Sequence, residues 1–160
     1  MIKNFKFNLL DEILILIIFS FSILINRSVT LDAHSLGLSM QAYSEIFPNT
    51  QDILQPQRIL LPLVGYLIKI NLQTINIIVT YCFLNILYKH ILKFQSRVIT
   101  YLLCASLSAT MVVQFHYNFG SYPDILCYFL LLLTFINKER TNAPYIFFFL
   151  ALLTKETAIF

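Results

Sequence analysis

Apolar residues in this chain gather into long blocks instead of alternating with polar ones. After Asp11 and Glu12, the block at 9–25 carries only Ser20 and Ser22 among its polar side chains. Such a block predicts a helix buried all round. Asn8 is placed to cap it, and the two acids suit the positive end of the helix dipole. The block is read as a first membrane crossing. A cleaved signal peptide is the weaker alternative, because no small-x-small cleavage site follows Ile25 and acids precede the apolar core.

Comparable blocks at 72–92, 98–115, 125–136 with its flanks, and 144–160 predict the second to fifth crossings. Their connectors HYNFGSYPD and NKERTN are short, as in a compact bundle. The stretch RILLPLVGYLIKI at 58–70 is apolar too, but Pro62 and Gly65 interrupt it. As a helix it would extend only about 20 Å, against a hydrocarbon core of about 30 Å, which predicts an interfacial or re-entrant segment. The expected fold class is therefore all-α, a polytopic transmembrane helical bundle of about five spans.

Between the first two blocks the chain turns polar, and within 26–57 the residues Leu36, Met40, Tyr43 and Phe47 recur at helical spacing before Pro48 and Asn49 end the pattern. This predicts an amphipathic helix, lying either flat on the bilayer or as an ordinary surface helix in a loop. No repeat or linker divides 1–160, so a single domain is expected. The last block runs to Phe160, which predicts that the bundle is truncated there and completed by further transmembrane helices, from a C-terminal part or a partner chain.

Composition strengthens the membrane reading. Hydrophobic residues make up 58% of the chain, charged ones 12%, and the mean hydropathy is +0.75, far from the roughly 25% charged of soluble domains. The net charge of +3 comes from scattered residues, which excludes nucleic acid as an expected partner and leaves the lipid bilayer as the first one. Cys82, Cys104 and Cys127 sit singly inside apolar blocks, without metal or disulfide spacing. Lys3, Lys6, Lys89, Lys93, Arg97, Lys138 and Arg140 fall on the side of the N-terminus if 58–70 does not cross. The N-terminus is then cytoplasmic.

With that topology Asp32, His34, Glu45, Asp52, Arg58, His116, Asp124, Lys155 and Glu156 share the opposite face. Acids, bases and imidazoles gathered there are what a charged, lipid-linked substrate would need, although loops are commonly charged anyway. Asp32 and His34 could form an acid–base pair or remain solvated loop residues. Asp124 follows Ser121, Tyr122 and Pro123, a helix-start pattern in which it complements the dipole. Lys155 and Glu156 lie about 17 Å into the fifth block, counted as a helix. There Lys155 either snorkels to the headgroups or serves a site. Asn76, Asn85, Gln114 and the Tyr81, Asn85, Tyr88 face are expected to hydrogen-bond between helices.

The stretches QRILLPLVGYLI, NFGSYPDILCYFLLLL and FFFLALLTKETAIF, taken together, resemble the N-terminal half of bacterial polytopic glycosyltransferases of the GT-C fold, similar to dolichyl-phosphate-mannose mannosyltransferases. The resemblance implies transfer of a sugar from a polyprenyl-phosphate carrier on the non-cytoplasmic face. It implies Asp32 as the base on the acceptor, Arg58 and Lys155 on the lipid phosphate, and Asp124 lining the site; His116 and Glu156, placed on the same face by the topology, are expected to bind substrate with them. The chain departs from the family in lacking a second acid next to Asp32. No organic cofactor is expected, while a divalent metal stays open. The alternative is a non-catalytic multi-pass protein, either an assembly partner or an inactive transferase remnant.

Overall fold

A computed structural model describes residues 9–26, 60–70, 72–110, 124–140 and 142–154. Within them the chain is all helical: α1 (Leu9–Asn26), α2 (Leu60–Ile68), α3 (Leu72–Ile91), α4 (Arg97–Ser108), α5 (Asp124–Ile136) and α6 (Ala143–Thr154). The all-α class is as expected from the apolar blocks, and the ends of α1, α3 and α5 fall within a residue of the block limits. The amphipathic helix expected at 36–47 lies outside the described residues.

The expected crossings need a correction: among the described residues no helix is long and apolar enough to cross a membrane. Length is one reason. With 12, 13 and 12 residues, α4, α5 and α6 reach only about 18–20 Å at 1.5 Å per residue. Polarity is the other, since the 20-residue α3 carries Gln73, Thr74, Asn76, Asn85, Lys89 and His90. The block at 98–115 also overstates its helix. At Ala109 the backbone N–H turns back to the carbonyls of Ala105 and Ser106 and ends α4.

The short α2 forms despite Pro62, which stands in its first turn, where a missing N–H removes no helical bond. Its end follows from local geometry. Lys69 adopts a left-handed backbone with φ of 56°, and the Ile70 N–H closes on the Gly65 carbonyl at 3.2 Å. That six-residue closure is a Schellman end, completed by Ile70 and Val64 packing in one apolar cluster. The helix α2 therefore ends at Ile68, and its nine residues are too few to cross a membrane alone.

Helix directions follow from the residues that meet. Asp11 and Arg97 pair at the starts of α1 and α4, and Ser22 reaches the Ser108 carbonyl near their ends at 3.2 Å, so these two run parallel. The last turns of α3 meet the first turn of α1, so α3 runs against them. Ile75 and Leu126 share one apolar cluster, while His90 meets Phe135, which makes α5 parallel to α3. After the turn at 137–140, α6 packs back against α5. Hence α1, α4 and α6 leave one end of the bundle, and α3 and α5 arrive there.

The core has three parts, two of them along α3. Ile15, Ile18, Leu84, Tyr88, Leu92 and Cys104 join α1, α3 and α4. Leu61 and Ile75 join α2 to the first half of α3. Cys127, Leu130 and Ala151 join α5 to α6. Cys127 and Ala151 are 2% and 0% exposed, and their small size lets the two backbones approach closely.

Candidate functional site

Asp124 is the one residue of the expected substrate site that belongs to the described residues. It stands in the first turn of α5, half-buried, where the helix dipole favours a carboxylate. Around this end of α5 lie Leu60 and Leu61 of α2, Ile75 of α3 and Ala151 of α6. Four elements therefore converge on the end of the bundle that carries Asp124. Asp32, Arg58, His116, Lys155 and Glu156 lie outside the described residues, so their meeting with Asp124 stays an expectation. Among the described residues no group of three His, Cys, Asp or Glu side chains could hold a metal ion.

The opposite end holds a charged cluster that the apolar blocks did not announce. Asp11 is fully buried, and Arg97 grips it side-on: Nε donates to Oδ1 at 2.7 Å and Nη2 to Oδ2 at 3.3 Å. A second donor is the Tyr88 hydroxyl, which reaches Oδ1 at 3.3 Å. Three helices thus meet on one carboxylate. One residue on, Glu12 receives Lys89 Nζ at 3.3 Å on Oε1 and Asn85 Nδ2 at 3.0 Å on Oε2. Tyr81 lies 3.5 Å from the same amide, edge-on to Phe19 of α1 with ring centroids 5.3 Å apart.

Each partner is placed by a local rule. Asp11 and Glu12 occupy the first turn of α1, and Tyr81, Asn85, Tyr88 and Lys89 recur at three- and four-residue spacing on one face of α3. Ser96 caps α4, its side chain accepting from the Ile99 N–H at 3.4 Å, which brings Arg97 into position one. The hydrogen bond to Asp11, followed by the carboxylate's charge, pushes the Arg97 guanidinium still higher than its ordinary pKa.

The expectation of interhelical hydrogen bonds at Asn85 and Tyr88 is met, with partners 73 and 77 residues away. The pairing of Asp11 with Arg97 and of Glu12 with Lys89 was missed. A usable signal did exist: two adjacent acids at the head of an apolar helix, with two cations on the same side in the next helices. Chemically the cluster is a clamp, since its acids are occupied by cations and amide or hydroxyl donors.

Comparison of this chain with known protein families, curated proteins and solved structures yields no match. The described residues define an all-helical bundle with a charged clamp at one end and Asp124 at the other.

Proposed function

We propose that the chain is a multi-pass membrane protein, and that it forms the N-terminal part of a glycosyltransferase that moves a sugar from a polyprenyl-phosphate carrier to an acceptor on the non-cytoplasmic face. One observation carries the membrane reading: along the helices, large apolar side chains face outward while small polar ones are buried beside the apolar core. Phe21, Leu24, Leu102, Phe135 and Phe149 are between 57% and 63% exposed, whereas Ser22, Asn76, Thr80, Thr100 and Thr154 are at most 1% exposed. Water would favour the reverse, and hydrocarbon favours this arrangement. Every charged residue among the described ones lies in the first or last turn of a helix or in a turn between helices.

Buried hydroxyls also satisfy themselves as a bilayer requires. Thr80, Thr100 and Thr154, and the half-buried Thr134, each donate to the carbonyl four residues back, at 2.7–2.9 Å. Lys89, Lys93, Arg97, Lys138 and Arg140 fall at one end of the bundle, which fits that end being cytoplasmic. Because α4, α5 and α6 are short, the reading requires adjoining chain to complete their crossings, or a locally thinned bilayer.

The transferase part rests on the three sequence stretches and on Asp124 standing at the end away from those five cations. The non-catalytic alternative is favoured by a different observation: the charged cluster among the described residues is an internally paired clamp, with no acid left over for proton transfer.

Topology is tested with the native cysteines replaced and single cysteines introduced. Positions Ser35 and Asn118 should label with an impermeant reagent in intact cells, and Asn137 only after permeabilisation. The reverse pattern would overturn the topology. For the activity, Asp32→Asn in the membrane-inserted full-length protein should abolish sugar transfer, and Lys155→Met should weaken binding of a polyprenyl-phosphate analogue. Retained transfer and affinity would leave the non-catalytic reading.

A further inference from the structure

At the clamp end, five cations surround two kinds of partner. Lys89 and Arg97 are taken by Glu12 and Asp11. Among the described residues no ion pair takes up Lys93, Lys138 or Arg140, all three exposed. They flank a chain of aromatic contacts that joins two helices. The His90 ring meets Phe94 edge-on at 5.4 Å and Phe135 at 6.0 Å, and Lys138 Nζ lies 5.5 Å from the Phe135 ring centre. Phe94 and Phe135 are 72% and 59% exposed, and Glu139 is the single acid in the same turn.

We propose that this basic and aromatic patch is a headgroup site for an anionic phospholipid of the cytoplasmic leaflet. The proposal rests on the membrane reading above. Its occupant follows from the chemistry on both sides of the patch. Three cations without an ion pair among the described residues, against one acid, call for a negative ligand, and they sit in the two turns that end α3 and α5. Exposed rings directly beside them call for apolar contact from the same ligand. A phosphodiester headgroup joined to glycerol and acyl chains supplies both at once, whereas a free anion leaves Phe94 and Phe135 bare. The patch also bridges α3 and α5, so a bound lipid would tie the clamp half of the bundle to the α5–α6 hairpin.

Electron spin resonance on vesicles containing the full chain tests this with a trace of spin-labelled phosphatidylglycerol or phosphatidylcholine. The fraction of motionally restricted label gives the relative association of the two lipids. Phosphatidylglycerol should be preferred at least about five-fold, the contribution of one fully engaged cation. Lys93→Gln, Lys138→Gln and Arg140→Gln should each lower that preference, while Lys69→Gln, at the other end of α3, should leave it unchanged. Equal restriction of both lipids by protein that remains in the vesicles would overturn the headgroup site and spare the membrane reading. Protein recovered in the soluble fraction, with neither lipid restricted, would overturn the membrane reading beneath it. Loss of the preference on adding inorganic phosphate at constant ionic strength would assign the cations to a soluble anion and also overturn the proposal.

Discussion

Asp11 is the polar residue whose burial most constrains this protein. A carboxylate removed from water needs compensation, and Arg97 with Tyr88 supplies it from two different helices. Removing Arg97 leaves the acid buried without this cation, while removing both members removes the problem. Arg97→Met should therefore lower the thermal midpoint of the detergent-solubilised protein more than the double variant Asp11→Leu with Arg97→Met does. Equal midpoints for the single and double variants would reject the clamp. The sign of the pH dependence is fixed by the raised Arg97 pKa: its contribution is complete below the ordinary arginine value and is lost only as pH rises through the still higher folded one. Arg97 itself should contribute no change in stability across neutral pH.

Among the elements, the α5–α6 hairpin has the closest packing, and small side chains decide it. Ala151 is 0% exposed against Cys127 and Leu130. Ala151→Leu adds volume where no space remains and should cost about 1–3 kcal/mol. Phe148→Leu, at a 39% exposed position of the same helix, should cost less than about 0.5 kcal/mol in a water-facing or lipid-facing setting. Chemical denaturation followed by helical circular dichroism measures both. Comparable losses would mean that α6 does not present Ala151 to α5. The ends of α1, α3 and α5 were legible in the sequence because local features set them: acids at the start, apolar runs, and a Pro before Asp124. The end of α4 was not, because residues 109–115 continue the apolar run while the backbone turns away at Ala109.

For the whole molecule, what surrounds the bundle separates the two possible settings. Leu102 is 57% exposed in the middle of α4. In water Leu102→Lys would change stability by no more than about 0.5 kcal/mol. In a bilayer it would cost up to about 2.5–3.5 kcal/mol on insertion scales. Membrane integration of the variant, measured by resistance to alkaline extraction, should fall well below that of the parent. An unchanged, water-extractable protein would overturn the membrane reading.

Helices were determined by the sequence alone, since helical bonds close over four residues and every local signal for them lies in the chain itself. The Tyr81, Asn85, Tyr88 face was legible for the same reason, as a polar stripe at helical spacing. Its partners were not legible. Asp11 meets Arg97 across 86 residues, and α3 runs parallel to α5, because helices as uniformly apolar as α1 and α5 offer no preferred face from composition. Of the expected substrate site, the sequence placed Asp124 at a helix start, and the structure put that start beside α2, α3 and α6. Which helix lies against which is decided by the sum of packing, small-residue contacts and buried charge pairs. Those quantities exist only once the helices have met.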